Sequence, residues 1–468
     1  MTKPRLLAVL LSLLGAMLTP PASADYRQKA EAQMDYIQAH FYDAAAKRYH
    51  GRTPDKPGGL PYAFMWDNGV QWRALVDAAR YDPAKYKPLL ATYGEGLRQG
   101  YWDPRPKGSP PGFNAYCSGP GGDDKYYDDN AWMVLGFLEA YDLTHAPVYL
   151  QWAKETQAFV LSGWDDTLGG GIYWKLKHES KNTCVNAPAA VSALRLSTRG
   201  GGREQLDWGL RLHQWTDTTL QDKDGLYWDN IRLDGSVEKA KWTYNTGLMI
   251  EADVLLFQMR HDPKALAEAE RSADAAIKQW QDPDTGRFEN GANFTHLLCE
   301  SLVRLYEVDH RIAYLNAVRR HAAYGYRYVH DAAQGGYWSD WKARDHKPDE
   351  AKELLENASD ARLFWLLAPY PDPDELYRRG MQAAGRGKDA QAEGWLRQAA
   401  DSDAEDAEAR YQLWKVLRRE KKTAAASAEE QALTKMGGND ALRKRLEALG
   451  WTKTDKASPK APPEGQSH

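Results

Sequence analysis

The stretch Asp166-Thr-Leu-Gly-Gly-Gly-Ile-Tyr-Trp174 has a form that the chain repeats: an acidic turn, then glycine, then an aromatic residue. The later copies occupy 222–228, 282–288 and 331–338, roughly 50 to 60 residues apart. That spacing accommodates two helices and a loop, so it predicts a chain built from repeated helix pairs. The aromatic residues of the four copies are Tyr173, Tyr227, Phe288 and Tyr337.

Between residues 25 and 370, apolar residues recur at the three- and four-residue spacing of amphipathic helices, and few stretches alternate as strands do. Six helix pairs closed into a ring would bury one helix of each pair and gather the similar loops at one end. We therefore predict an all-α fold, an (α/α)6 toroid of six helix hairpins. An open helical array is the alternative, because periodicity does not show closure. The helical segments are 28–42, 68–80, 85–99, 129–143, 147–162, 187–198, 203–219, 244–260, 263–280, 293–308, 311–329 and 353–367.

The composition is that of a folded globular protein. Of 468 residues, 43% are hydrophobic and 27% are charged, which excludes a disordered or fibrous chain. Lys and Arg total 61 against 65 Asp and Glu, and no long basic tract occurs, so nucleic acid is not an expected partner. The 18 Trp and 26 Tyr far exceed the 9 Phe, which favours aromatic surfaces in contact with water.

The N-terminus is typical of an export signal. Lys3 and Arg5 precede an apolar run over 6–18, and Ala22-Ser-Ala24 fits a cleavage site. This pattern predicts a signal peptide over 1–24 and a secreted or periplasmic protein with no stable membrane span after cleavage. A retained membrane anchor is the alternative.

The composition changes after the predicted toroid, which we assign to 25–370. Residues 373–450 are rich in Ala, Glu, Arg and Lys, and residues 453–468 form a tail whose composition predicts disorder. Small and large apolar residues match a tetratricopeptide unit, which predicts a small helical-repeat region that could dock a protein partner. A helical cap packed on the toroid is the alternative. The matching positions are Leu376, Gly380, Ala392, Leu396 and Ala399.

Export favours disulfide formation. Cys117 and Cys184 lie in predicted loops and Cys299 in an apolar helix, so we expect a Cys117–Cys184 disulfide, with three unlinked thiols as the alternative. The 12 His and 3 Cys form no zinc motif, and neither a phosphate-binding glycine motif nor a Gly-x-Ser-x-Gly elbow occurs. The sequence therefore predicts no metal and no cofactor.

The segment Tyr126-Tyr-Asp-Asp-Asn-Ala-Trp132 opens a strongly apolar helix after a Gly/Pro-rich loop. Asp at a helix start can simply cap free N–H groups, which is the structural alternative here. Asp128 and Asp129 are, however, flanked by aromatic rings that shield them from water, and adjacent like charges push their pKa values apart. Consecutive Cα atoms are about 3.8 Å apart, so diverging carboxyl groups can reach the roughly 5–5.5 Å separation of a retaining glycosidase.

With these residues the sequence resembles glycoside hydrolase family 76, the endo-α-1,6-mannanases. The resemblance rests on Tyr127-Asp-Asp-Asn-Ala-Trp132, on Gly169-Gly-Gly-Ile-Tyr-Trp174, on Asn186 and on Tyr244-Asn-Thr-Gly247, and it covers roughly residues 28–368. It implies an (α/α)6 fold and a retaining mechanism, with Asp128 as nucleophile and Asp129 as general acid/base.

Aromatic and polar residues near these motifs are candidates for binding a sugar polymer, through ring stacking or hydrogen bonds to hydroxyl groups. Each has an alternative role as a turn residue, a helix cap or a core aromatic. The chain departs from the family pattern at 183–188, and again at Glu251 and Asp253. The candidates are Trp66, Asp67, Tyr127, Trp174, Asn186, Asp229, Tyr244 and Asn245.

The sequence thus predicts a retaining glycoside hydrolase that cleaves α-1,6-mannan or a related α-linked polysaccharide through a covalent glycosyl-enzyme intermediate. A transglycosidase would use the same intermediate with a sugar acceptor in place of water. A sugar epimerase or uronyl hydrolase would share the fold, although those chemistries normally use His or a lone acid. The non-enzymatic alternative is a carbohydrate-binding or scaffold protein that works through the C-terminal helices.

Overall fold

The structure, a computed structural model, describes residues 25–54, 58–104, 108–118 and 124–451. The predicted signal peptide at 1–24 and the predicted tail at 453–468 lie outside these ranges, so both stay predictions. None of the described helices is long and apolar enough to cross a lipid bilayer.

Twelve α-helices lie in the described chain between residues 26 and 367, and they fall at the twelve segments that the periodicity predicts. Their bounds are α1 Tyr26–His40, α2 Met65–Tyr81, α3 Pro83–Gly100, α4 Tyr127–Thr144, α5 Pro147–Ser162, α6 Thr183–Leu196, α7 Gly202–Leu220, α8 Thr243–Arg260, α9 Pro263–Trp280, α10 Ala292–Asp309, α11 Ile312–Tyr324 and α12 Leu354–Leu367.

The even-numbered helices form an inner ring. Helix α2 contacts α4, and the contacts continue in order through α6, α8 and α10 to α12, which returns to α2. Each odd-numbered helix packs outside an inner helix, and α1 packs outside α12, so the two ends of the repeat meet. The fold is therefore the predicted (α/α)6 toroid, and the ring closure excludes the open array.

Short turns join the inner helices α2, α4, α8 and α10 to the outer helices that follow them. His145, His261 and His310 end α4, α8 and α10 in the left-handed conformation, with φ of 54°, 54° and 60°. Asp82 and Asp262 cap α3 and α9 with their carboxylates, directly before a proline that suits the first helical position. Because these signals are local, the sequence alone indicates where each hairpin turns.

Short antiparallel strands lie in the loops that precede the inner helices. The largest sheet has the order β6–β7–β8, and β7–β8 form a hairpin just before α8. Strand β3 pairs with β9, which ties the loop after α1 to the loop before α12. The strands are β1 Tyr42–Asp43, β2 Arg48–Tyr49, β3 Arg52–Thr53, β4 Trp102–Asp103, β5 Gly112–Phe113, β6 Ser180–Asn182, β7 Trp228–Arg232, β8 Val237–Lys241 and β9 Lys352–Glu353.

A network of ion pairs, which we call the charged ring, joins all six inner helices about two to three turns away from their N-terminal ends. Arg73 donates to Glu139 and to Glu300, each at 2.9 Å, and Arg195 donates to Glu139 at 3.0 Å. Most of these side chains are buried, so the charges neutralise one another inside the protein. The members are Arg73 and Asp77 of α2, Glu139 of α4, Arg195 of α6, Glu251 of α8, Glu300 and Arg304 of α10, and Arg362 of α12.

The charged ring accounts for one departure from the family pattern, because Glu251 is the partner of Arg195. The other departure, Asp253, is also buried and accepts a hydrogen bond from Nε2 of His213 at 2.7 Å. Both acidic residues therefore have structural partners away from the cavity described below.

Within the described residues, which end at 451, five further helices follow the toroid and enclose a hydrophobic core of their own. Arg327 of the toroid pairs with Asp403 and Glu405, and Arg319 donates to the carbonyl oxygen of Pro371 at 2.8 Å. The helices are thus docked on the toroid, while a tetratricopeptide-like repeat and a protein partner stay predictions. They are α13 Pro373–Gly385, α14 Asp389–Ser402, α15 Ala407–Arg419, α16 Thr423–Met436 and α17 Asp440–Ala448.

Candidate active site

The first turns of the inner helices and the loops before them surround a cavity of about 550 Å³. Its walls combine aromatic rings with a few carboxylate and amide groups, a combination suited to a sugar, which has both apolar faces and hydroxyl groups. Six residues singled out from the sequence line this cavity. They are Trp66, Asp128, Asp129, Trp174, Asp229 and Tyr244.

Asp128 is held in place by three donors. Its Oδ1 accepts the backbone N–H of Asp129 at 2.9 Å, and its Oδ2 accepts Nε1–H of Trp174 at 2.8 Å. The Sγ of Cys184 lies 3.4 Å from the same Oδ2. Because the N-cap of α4 is Tyr126, neither aspartate occupies the capping position. The orientation of Asp128 is therefore fixed by groups that converge from two different inner helices and a loop.

The two aspartates have different proton affinities. Burial raises the pKa of Asp128 to about 6, although the hydrogen bond from Trp174 opposes this shift. Burial and the charge of Asp128 raise the pKa of Asp129 well above its ordinary value. The first proton that the pair takes up therefore goes to Asp129, and the negative charge stays on Asp128.

Aromatic rings stack along the cavity wall. The ring of Phe294 stacks with Trp66 at a centroid distance of 5.4 Å and with Tyr244 at 4.7 Å, and Trp242 lies against it at 5.4 Å. Trp174 packs edge-to-face with Tyr126, with the ring centroids 5.1 Å apart. These ring faces border the cavity that holds the aspartates, so they can stack on a sugar.

Asp229 adds a carboxylate to the cavity from strand β7. Its Oδ2 accepts Nδ2–H of Asn230 at 2.7 Å. Asn245 is fully buried, lies outside the cavity lining, and its side-chain amide makes no hydrogen bond within the described residues. Among the described residues, no group of three or more His, Cys, Asp or Glu side chains is arranged to hold a metal ion.

Three other sequence candidates lie outside the cavity lining. Tyr127 is buried and stacks on Phe159 at 4.9 Å. The carboxylate of Asp67 accepts the backbone N–H of Phe64 at 3.3 Å, so it caps the start of α2. Asn186 is fully buried. For these three residues the structure shows the packing and capping contacts that were the alternatives to binding a sugar.

Asn186 clamps the loop that precedes its helix. Its Oδ1 accepts the backbone N–H of Ile172 at 2.7 Å, and its Nδ2 donates to the carbonyl oxygens of Ile172 at 3.0 Å and Asn182 at 2.9 Å. Asn130 holds Phe113 and Asn357 holds Tyr337 by the same pair of bonds. The clamp is therefore a repeated device that fixes the cavity loops on the inner helices.

We expect Asn186→Ala to destabilise the fold. The substitution leaves the buried N–H and C=O of Ile172 without partners, which costs about 1–3 kcal/mol for each lost partner. The midpoint of denaturant unfolding should fall accordingly. Asp229→Asn is the control, since this near-isosteric change in the cavity should leave the midpoint close to that of the wild type. Equal midpoints for Asn186→Ala and the wild type would contradict the clamp.

The expected disulfide is absent, and all three cysteines are free thiols. Cys184 lies beside Asp128, whereas Cys117 lies near Arg48 and Tyr62. The prediction of a Cys117–Cys184 bond is wrong because the two thiols face different neighbours. It also treated Cys184 as a loop residue, although this residue lies in the first turn of α6.

The sequence did not single out several cavity residues, including Phe64, Trp242 and Phe294. A positional signal was available for Phe294 and for Cys184, because both lie in the first turn of an inner helix, as Trp66 and Tyr244 do. Once the helices are assigned to an inner ring, their first turns become candidates for lining the cleft. A sequence motif alone does not show which helices belong to the inner ring, so it does not identify these residues.

An (α/α)6 toroid whose cavity holds two adjacent carboxyl groups with different proton affinities has the structural features of a glycosidase. The sequence matches the family model "Glycosyl hydrolase family 76" over residues 26–310, which is more than half of the chain, and the chain therefore belongs to this family.

Two curated relatives and one solved structure illustrate the similarity. The meiotically up-regulated gene 191 protein of Schizosaccharomyces pombe is 28% identical over 227 residues, covering 44% of this chain and 49% of that protein. The mannan endo-1,6-alpha-mannosidase DCW1 of Candida glabrata is 32% identical over 124 residues, covering 23% of this chain and 28% of that protein. The chain thus spans less than half the length of these two relatives.

The solved structure is that of the GH76 alpha-mannanase BT2949 from Bacteroides thetaiotaomicron. It superposes with a TM-score of 0.69 at 25% identity, and the alignment covers 75% of this chain and 97% of that one.

Proposed function

We propose that this chain is a retaining glycoside hydrolase that cleaves α-1,6-mannan or a related α-linked polysaccharide. The observation that carries the proposal is the pair of adjacent carboxyl groups in one cavity, where burial raises the pKa of both and the charge of Asp128 raises that of Asp129 further. A retaining glycosidase needs one carboxylate nucleophile and one proton donor, which later becomes a base.

The reaction has two steps. In the first, the Asp128 carboxylate attacks the anomeric carbon, the glycosidic C–O bond breaks, and Asp129 gives its proton to the leaving oxygen. This step forms a glycosyl ester on Asp128. In the second step the Asp129 carboxylate takes a proton from water, the water oxygen attacks the anomeric carbon, and the C–O bond of the ester breaks to release Asp128.

The preference for mannan is supported by the cavity wall and by the relatives. The stacked rings of Trp66, Phe294 and Tyr244 offer apolar faces for sugar rings, and Asp229 offers an acceptor for sugar hydroxyl groups. The Candida glabrata relative is named a mannan endo-1,6-alpha-mannosidase. A hexose polymer with 1,6-linkages is therefore the first substrate to test.

The test is the release of oligosaccharides from linear α-1,6-mannan, followed by chromatography and by NMR of the anomeric configuration of the first product. We expect products whose new reducing end is initially α. Products that appear only when a sugar acceptor is added would indicate a transglycosidase instead. Binding of mannan without any turnover would contradict the hydrolase proposal and favour a carbohydrate-binding protein.

The pH dependence of kcat/KM should be bell-shaped. Activity should fall as the pH drops below about 6, because Asp128 then gains a proton and loses its nucleophilic charge. It should fall again at higher pH, where Asp129 loses the proton that the leaving oxygen needs. Initial rates at substrate concentrations far below KM give this profile. A rate that stays constant as the pH falls from about 7 to 4 would contradict the assignment of Asp128.

A further inference from the structure

The Cys184 thiol has no part in the two-step reaction, yet it lies in the cavity. Cys184 is in the first turn of the inner helix α6, is 5% exposed and borders the space where a sugar would bind. Its Sγ is 3.4 Å from Oδ2 of Asp128, which is hydrogen-bond distance for sulfur. The same oxygen accepts the indole N–H of Trp174 at 2.8 Å.

The thiol can act only as a donor toward this carboxylate. Burial, followed by the negative charges of Asp128 and Asp229, raises the pKa of Cys184 well above its ordinary value. The sulfur therefore keeps its proton at neutral pH. Tyr244, on the neighbouring inner helix α8, lies close enough to the thiol to act on its pKa, and it lines the same cavity.

We propose that Cys184 is a positioning residue for Asp128, whose oxygen Oδ2 is held by two donors, the thiol and the indole of Trp174. The proposal rests on the proposed function, in which Asp128 is the nucleophile. A thiol is a weaker donor than a hydroxyl group, so it orients the carboxylate while stabilising its charge only modestly. This matters because the charge on Asp128 disappears as the glycosyl ester forms, and any donor that strongly stabilises the ionised ground state slows the attack.

The proposal predicts opposite effects for two small substitutions. Cys184→Ala removes the donor, so the acid limb of the kcat/KM profile should move to higher pH by roughly half a unit to one unit. Cys184→Ser supplies a stronger donor, so the acid limb should move to lower pH, while kcat/KM on the plateau falls about 3- to 10-fold. A role in packing alone would change rates without moving the limb in opposite directions.

The same two substitutions at Cys117 are the matched control. This thiol is half-buried outside the cavity lining, and neither Cys117→Ala nor Cys117→Ser should move the acid limb. The other titratable groups around Asp128, Asp129 and Cys184 are unchanged in all four variants. They are Asp67 on α2, Asp124 and Tyr126 before α4, Asp229 on β7 and Tyr244 on α8.

An infrared measurement of the S–H stretch tests the hydrogen bond without any substrate. The difference spectrum of wild type minus Cys184→Ser isolates the band of this thiol in the intact protein. We expect the band to shift to higher frequency as Asp128 is protonated, with a midpoint near pH 6, and to lie at higher frequency in Asp128→Asn. The titration should be reversible, and thermal melts of both variants should confirm that they are folded.

The outcomes separate this proposal from the proposed function. If the chain cleaves no mannan but the S–H band titrates with Asp128, the hydrolase assignment fails while the hydrogen bond stands. A band that responds neither to pH nor to Asp128→Asn overturns the positioning role, whatever the enzyme does. The role is also overturned if Cys184→Ala and Cys184→Ser leave the acid limb in place while the chain cleaves mannan.

Discussion

Asp128→Asn and Asp129→Asn should each lower the turnover of α-1,6-mannan by about 10³-fold or more, a loss typical of removing a catalytic group. The reason differs between the two variants. Without the Asp128 carboxylate no glycosyl ester can form. Without the Asp129 proton, the leaving part of the polysaccharide would have to depart as an alkoxide, which is a poor leaving group. The measurement is oligosaccharide release over long incubations, so that small residual rates are detected.

The alanine variants can assign the two roles separately. With an activated α-mannoside whose leaving group needs no proton, Asp129→Ala should still form the ester, and added azide should then give an α-mannosyl azide. In Asp128→Ala the azide occupies the space of the carboxylate and attacks the substrate directly, which should give the β-product. The opposite pairing of products would reverse the assigned roles, and unimpaired hydrolysis of mannan by both variants would remove the pair from the mechanism.

Asp142→Asn is a matched control for these variants. Asp142 belongs to the same helix α4, but it is an exposed residue near the opposite end, where it pairs with Arg199. The same loss of a carboxylate there should leave mannan cleavage within about twofold of wild type, because a surface ion pair contributes little to stability. A large loss of activity in this control would show that α4 tolerates no change of charge, and it would weaken the interpretation of the other variants.

The helices were predictable because their signals are local. Apolar spacing, and residues such as Asp262 followed by a proline, mark the helices and where they begin, and all twelve helices of the toroid follow from such signals. The closure of the ring was not predictable in the same way. It depends on contacts such as that between Arg362 and Asp77. These two residues are 285 positions apart, and no sequence motif indicates that they pair.

The cavity was predictable in part for a similar reason. The aspartate pair and Trp174 stand in motifs that the sequence displays, and the structure brings them together. The direction of a side chain around its helix is not visible in a motif, so Asn186 and Tyr127 were grouped with them although both point into packed structure. Whether a polar residue binds a sugar or makes a structural hydrogen bond depends on which groups surround it, and only the three-dimensional structure shows those groups.

The largest stability effect should come from the charged ring. We expect Arg73→Met to lower the free energy of unfolding by about 3–5 kcal/mol, because Glu139 and Glu300 would keep buried charges without their shared partner. Methionine has nearly the length of the arginine stem, so the loss reflects charge more than packing volume. Denaturant unfolding of the full chain measures the change. As a control, Arg203→Met removes an exposed arginine that pairs with Asp207, and it should cost no more than about 1 kcal/mol.

The pH dependence of this effect distinguishes charge from packing. In the wild type the arginines, Arg73 first, hold the pKa of Glu139 and of Glu300 well below the ordinary value, against the opposing effect of burial. This stabilisation is present above the pKa of an unfolded glutamate, about 4.3, and is lost as the pH falls toward the depressed folded values. In Arg73→Met the two glutamates can take up protons more readily, so the stability difference from wild type should shrink on acidification. A difference that stays constant from neutral pH down to about pH 4 would show that the ring acts through packing rather than through its charges.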